Sequence, residues 1–203
     1  MLAMFPEQKS RRRMWVMPII AIQAYIYPFL VMFIFITMRS ASIAQLFTPD
    51  IPMRIRQAIG MALHWTLIGL LLMQLGGWVE ALIFLAVSQL AFSLYMGSVF
   101  APNHKGMKMM DDGEELDFLR TQVLTARNVR GNWFADYWYG GLNYQIEHHL
   151  FPTMPRNRLG DAKPIVEKFC AERGVSYHET SVGGSYKEIF QHLRRSSAGE
   201  SAE

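Results

Sequence analysis

Three stretches of this 203-residue sequence, residues 14–38, 57–79 and 81–103, contain no acidic or basic side chain other than the neutral His64. Each is about 20 residues or longer, enough for a helix to cross a hydrocarbon core of roughly 30 Å. A soluble domain of this size spreads its apolar residues at periodic positions, whereas here they form unbroken blocks. Apolar residues make up 51% of the chain against 18% charged, and the blocks concentrate them in the first half. Such a chain folds in a bilayer.

Only Gly76, Gly77, Trp78, Val79 and Glu80 separate the second block from the third. So short and glycine-rich a joint predicts the tip of a helical hairpin, with Trp78 at the membrane surface. Arg54 and Arg56 precede this hairpin, Lys105 and Lys108 follow it, and its tip carries Glu80 and no cation. The positive-inside tendency then places both open ends in the cytoplasm. The first block fits less simply. Lys9 and Arg11 to Arg13 precede it and Arg39 follows, so one crossing would put a basic cluster on the wrong side. Pro18 and Pro28 each remove a helical hydrogen bond within it. A broken, re-entrant or interfacial helix over 14–38 is favoured, with one ordinary span as the alternative.

The expected organisation is a membrane region over 1–103, with apolar helices at about 14–38, 58–77 and 81–102. A cytoplasmic, mostly helical cap follows over 104–195, and a small, acidic tail over 196–203 is expected to be disordered. Within the cap, an amphipathic helix is predicted for 161–173, stopped by Gly174, then an extended piece over 175–179 and a helix around 185–195. The lone Cys170 allows no intramolecular disulfide, and the N-terminus lacks a secretory signal pattern. A net charge of +3 with no nucleic-acid motif gives no reason to expect a nucleic-acid partner.

The chemistry concentrates in 131–156, where His148 and His149 are adjacent. Neighbours on a helix project about 100° apart, so the pair suits two metal ions better than one. Imidazole is an appropriate ligand for iron, copper or zinc, and it binds in its neutral form. Gln145 and Glu147 flank the pair and are expected to orient the rings from behind. Trp133, Tyr137, Trp138 and Tyr139 place the segment at a membrane interface. His104 follows the third block directly and can hang from the end of that helix near the pair. His64 lies inside the second block, where an ionisable group is costly, and reads first as a hydrogen-bonded packing residue. His178 and His192 are assigned no role. Asp111, Asp112, Glu114, Glu115 and Asp117 read as a solvated acidic loop. No HExxH, P-loop, GxGxxG or Glu-x-x-His pattern is present.

The run from Gly140 to Pro152, GGLNYQIEHHLFP, resembles the third histidine box of the membrane fatty-acid desaturases. Its Gln-x-x-His-His form is similar to the branch that includes front-end and bacterial acyl desaturases. Asn103-His104-Lys105-Gly106 resembles the additional ligand site after that branch's last transmembrane helix. The likeness extends from residue 1 to about 195. It implies an all-α integral membrane fold, with the closing transmembrane hairpin below a cytoplasmic cap. It also implies two non-haem irons, with His104, His148 and His149 as ligands and Asn103, Gln145 and Glu147 behind them. The expected activity is O2-dependent formation of a cis double bond in an acyl-CoA or acyl-lipid, with His64 a candidate for the wall of the substrate tunnel. Electrons would come from a ferredoxin or cytochrome b5 type donor and its reductase.

The sequence departs from the family pattern in one respect: the earlier boxes, HxxxH and HxxHH, are absent. Three imidazoles do not hold two irons. The expectation is therefore the C-terminal portion of a desaturase, inactive without an N-terminal half. A lipid hydroxylase of the same fold and a non-catalytic membrane remnant are the alternatives.

Overall fold

The structure is a computed structural model that describes residues 17–49, 51–107 and 116–198. The cations at 9, 11–13 and 108, the acidic residues at 111, 112, 114 and 115, and the tail from 199 lie outside that range. The described chain is mostly helical: α1 (Met17–Ala21), α2 (Gln23–Val31), α3 (Ile34–Leu46), α4 (Arg54–Leu72) and α5 (Trp78–His104) come first. Then follow α6 (Phe118–Leu124), β1 (Asn128–Val129), α7 (Trp133–Tyr139), α8 (Gln145–Leu150), α9 (Leu159–Glu172), β2 (Glu179–Thr180) and α10 (Val182–Ala198). The chain divides into two compact units, one of residues 28–97 and one formed by the flanking segments.

In the unit of residues 28–97, α4 and α5 are long and apolar enough to cross a membrane, and residues 73–77 join them. No residue of α4 is buried by the protein, which suits a helix whose apolar side chains meet lipid. The first uncharged block is broken. Its helices α2 and α3 are bent by 69° at Met32 and Phe33, so together they form a broken span or a re-entrant loop. The prolines do not set this bend. Pro28 sits inside α2, and the break comes a full turn later. A backbone amide released at the break is recaptured by a side chain, since Phe35 N donates to Ser93 Oγ of α5 at 3.0 Å. In hydrocarbon such a group has no water to fall back on. The two helices also approach closely beside it, because a Cβ on Gly97 would fall 2.1 Å from Val31 Cγ1. Arg39 of α3 places its guanidinium 5.1 Å from the centre of the Trp65 ring and 6.0 Å from that of Phe92. A cation on aromatic faces is favourable where water is scarce.

The second unit holds the cap. One apolar cluster joins Val123, Ala126, Ile146, Val166, Cys170 and Val175, so α6, α8 and α9 share a core. Another joins Val99 near the end of α5 to Val129, Ala135, Tyr139 and Leu142. The two short strands pair in parallel, Asn128 with Glu179 and Val129 with Thr180. Helix α10 begins before its expected start and continues through Ala198, into the stretch expected to be disordered. Ser196 is buried there, and Ser197 Oγ donates to Ile20 O at 2.8 Å.

A fully buried cation closes this unit. Arg127 donates through Nε to Pro102 O, through Nη2 to Lys105 O at 2.6 Å, and through Nη1 to Glu188 Oε2 at 2.5 Å. Its backbone amide takes Asn103 O at 3.1 Å. Helices leave their last carbonyls unpaired and carry negative potential there, so one arginine meets both needs of the end of α5. The Glu188 carboxyl is held below its usual range. Burial opposes ionisation, but the hydrogen bond with His178 and the charge of Arg127 outweigh it. Replacing Arg127 with Met should lower unfolding stability by roughly 3 kcal/mol. Thermal or denaturant unfolding of the detergent-solubilised protein checks this, and an unchanged midpoint would remove Arg127 from the role.

Candidate metal centre

The site is assembled around α8, a helix of only six residues whose N-cap, Tyr144, makes no side-chain capping bond. Asn128 takes over that function from a distance. Its Oδ1 accepts the Ile146 amide at 2.9 Å, and its Nδ2 donates to Glu147 Oε2 at 2.7 Å. The Tyr177 hydroxyl donates to the other carboxylate oxygen, Oε1, at 2.7 Å. Glu147 is wholly buried and thus doubly hydrogen-bonded, as a buried carboxylate requires. Burial, and then the adjacent Glu147 charge, push the Tyr177 hydroxyl pKa well up, so it remains a donor.

This arrangement corrects the role expected for Glu147. Two positions from Gln145, it lies across the helix from the face shared by Gln145 and His149, and its carboxylate meets Asn128 and Tyr177 rather than an imidazole.

The polar face of α8 meets the end of α5. Gln145 Nε2 lies 3.0 Å from His149 Nε2 and 3.2 Å from His104 Nε2. The buried Asn103 fixes which way that amide points. Its Nδ2 donates to Leu142 O at 2.8 Å and to Gln145 Oε1 at 3.1 Å, leaving the Gln145 NH2 for the two rings. A donor between them requires each Nε2 to accept, which selects neutral imidazoles with the proton on Nδ1. The two rings are stacked, their centres 5.1 Å apart and their planes at 24°. His148 stands apart, its ring centre 6.3 Å from that of His149 and tilted 45°, with Nδ1 buried and without a hydrogen-bond partner.

The bend from α7 into α8 makes this possible. Gly140 caps α7 in the left-handed region at φ 56°, and Gly141 follows at φ 82°. A side chain on Gly141 would meet Arg156 O at 2.8 Å.

Of the residues singled out in the sequence, His104, His149, Asn103 and Gln145 form one hydrogen-bonded cluster, with His148 beside it. His64 is not part of it. It lies exposed on α4, its ring edge-to-face with Trp65 at 5.4 Å. Asp117 caps α6 by accepting from Arg120 N at 2.9 Å. Asn128, Tyr177 and Arg127 went unnoticed, because single polar residues with distant partners leave no periodic signal. Among the described residues, no group of three or more histidine, cysteine or acidic side chains is gathered closely enough to hold a metal ion. The donor chemistry suits a metal only as part of a shell, and only if the Gln145 NH2, on which the two imidazole lone pairs converge, turns aside.

The sequence model of the family described as "Fatty acid desaturase" matches residues 2–181. The chain belongs to the fatty acid desaturase family. Among its curated relatives, the acyl-lipid (9-3)-desaturase of Physcomitrium patens is 39% identical over 120 residues, 59% of this chain and 22% of that protein. The Delta(5) fatty acid desaturase fat-4 of Caenorhabditis elegans is 37% identical over 125 residues, 61% of this chain and 28% of the relative. The Delta(6)-fatty-acid desaturase fat-3 of the same organism is 33% identical over 133 residues, 64% of this chain and 30% of the relative. The chain therefore spans less than a third of the length of these desaturases. No solved structure matches it.

The electrostatics of the desaturase cap give a pH dependence. Burial lowers the His149 pKa from the ordinary 6.5, and the neighbouring His148 lowers it further, against an opposing backbone interaction with Gln122. The unfolded chain therefore takes up a proton before the folded one does. His149 contributes stability that is present above the unfolded value of 6.5 and is lost as pH falls through the lower folded value. The melting temperature should fall on acidification from about pH 7.5 to about 5.5, and His149→Gln should flatten that slope. An equal slope in the variant would rule out His149 as its source.

Proposed function

We propose that this chain carries one side of the iron centre of a fatty-acid desaturase. His104 and His149 supply converging Nε2 ligands, and His148 supplies a third from the neighbouring turn position. The observation that supports this is the gathering of both Nε2 atoms within 3.2 Å of Gln145 Nε2, so that a metal displacing this NH2 group would meet both lone pairs. Iron bound there would supply the capacity to activate dioxygen and remove hydrogen from an unactivated methylene.

The chain's own part is to bind and to orient. Before metal binds, Gln145, oriented by Asn103, keeps both rings neutral with Nε2 unprotonated, and its NH2 gives way to the metal; Asn128 with Tyr177 fixes the rotation of α8 through Glu147. Burial of the cluster keeps protons off His149 near neutral pH, the form a metal requires. Further ligands come from residues outside this sequence, those of the HxxxH and HxxHH boxes, so the chain alone forms no complete two-iron site. The substrate is an acyl chain carried by a membrane lipid or coenzyme A. One relative, the acyl-lipid (9-3)-desaturase of Physcomitrium patens, is named for the lipid form. A ferredoxin or cytochrome b5 type donor delivers the electrons at the cytoplasmic face.

Co-expression with an N-terminal desaturase half bearing the two boxes tests the reading, with product fatty acids analysed by gas chromatography and mass spectrometry. New cis unsaturation is expected. His104→Ala, His148→Ala and His149→Ala should each abolish it, and Gln145→Ala should reduce it by about 10- to 100-fold. A hydroxylated product with no alkene would make the protein a lipid hydroxylase. Two tightly bound irons on the isolated chain would overturn the partial-shell reading.

A further inference from the structure

Helix α7 is firmly built yet has an outer face made only of aromatic rings. Asn132 caps its start by accepting from Phe134 N and Ala135 N at 3.0 and 2.9 Å, and Gly140 caps its end. Ala135 and Tyr139 are buried, whereas Trp133 is 82% exposed and Tyr137 80%, with Phe134 and Trp138 beside them. Phe134 and Trp138 stack at 5.9 Å. A rigid helix with such a face is shaped for a surface, not for water.

A second helix presents a matching stripe. Val182, Tyr186 and Phe190 recur every fourth residue along α10 and are all exposed, next to the buried row of Ser185, Ile189, Leu193 and Ser196. Lys187 and Arg194, also exposed, lie on the next strip of the helix surface. An apolar stripe flanked by cations is the pattern of a helix lying in the plane of a membrane surface, where the cations reach lipid phosphates.

Both helices are tied to one residue of the membrane-crossing α5. Trp138 Nε1 donates to Ser98 Oγ at 2.9 Å, and the Tyr186 hydroxyl donates to Ser98 O at 3.3 Å. Ser98 lies six residues before His104. At a rise of 1.5 Å per residue that is about 9 Å along the helix axis. Tryptophan and tyrosine rings concentrate at the headgroup level of bilayers, apolar in body and polar at the tip.

We propose that α7 and α10 form an aromatic collar immersed in the lipid headgroup layer at the level of Ser98, holding the histidine cluster a little under two helical turns beyond it on the aqueous side. The occupant of both faces is lipid. The collar stands independently of any metal at the histidines, and its test reads only membrane depth.

The full chain, on a Cys170→Ala background, is labelled with a nitroxide at Tyr137→Cys, Phe190→Cys or, as a water-facing reference, Gln191→Cys. Each is reconstituted in vesicles of phosphatidylcholine and phosphatidylglycerol. Collision rates with dissolved oxygen should exceed those with a water-soluble nickel chelate at 137 and 190, with the order reversed at 191. A nickel-dominated signal at either 137 or 190 would overturn the collar. Low collision rates with both reagents would overturn it as well, in favour of a protein covering these faces. If a cysteine variant does not fold, quenching by lipids brominated near the headgroup is compared between the unsubstituted chain and Trp133→Leu. A smaller shallow-quenched component is expected in the variant, since Trp78 and Trp138 remain, and an identical quenching profile would refute lipid contact at α7.

Discussion

At the end of α5 the backbone carbonyls of Pro102, Asn103 and Lys105 have left the helical ladder in an interior with little water. Arg127 takes all three and extends its remaining charge to Glu188. This clasp fixes the termination of the membrane helix, and with it the positions of Asn103 and His104. Without a fixed terminus, the amide of Asn103 could not hold Gln145, and the stacked rings would lose their shared donor. The pair itself adds little, but removing one partner would leave the wholly buried guanidinium's acceptors, or the charge of Glu188, uncompensated.

The histidine cluster is built from two opposite faces of a helix too short to hold itself. One face presents Gln145 and His149 to the end of α5. The other buries Glu147 against Asn128 and Tyr177. An isolated helix of six residues is unstable in water, so its geometry comes from these tertiary bonds. The same segment of sequence thus carries ligand donors and the anchor that sets their angle. Both functions are compressed into Gln145-Ile146-Glu147-His148-His149.

Much of this was legible in the sequence. Uncharged blocks announced α4 and α5, because a bilayer imposes one requirement, apolarity over about 20 residues, that composition expresses directly. Helices α9 and α10 showed through their periodicity, and Gly174 at φ 63° does stop the first of them. The histidine pair stood out through its box. A break in the first block was legible from its flanking charges and prolines, but its place at Met32 and Phe33 was not, since the hydroxyl that takes the nearby Phe35 amide comes from Ser93, 58 positions away. Glu147 was assigned to its neighbours in sequence, when its partners lie 19 and 30 positions away. Local pattern reports what a segment prefers, and pairings across such distances are decided only when the chain closes on itself.

The length of α5 has its own consequence. At 27 residues it is about 40 Å long, some 10 Å more than a typical hydrocarbon core. The segment from Trp78 to Ser98 accounts for about 30 Å of this, and the six residues beyond Ser98 for about 9 Å more. Those last turns carry Asn103 and His104 and belong to the same compact unit as α6 to α10. The surplus length thus serves as a post for the imidazoles, whose partners all come from the unit that the post enters.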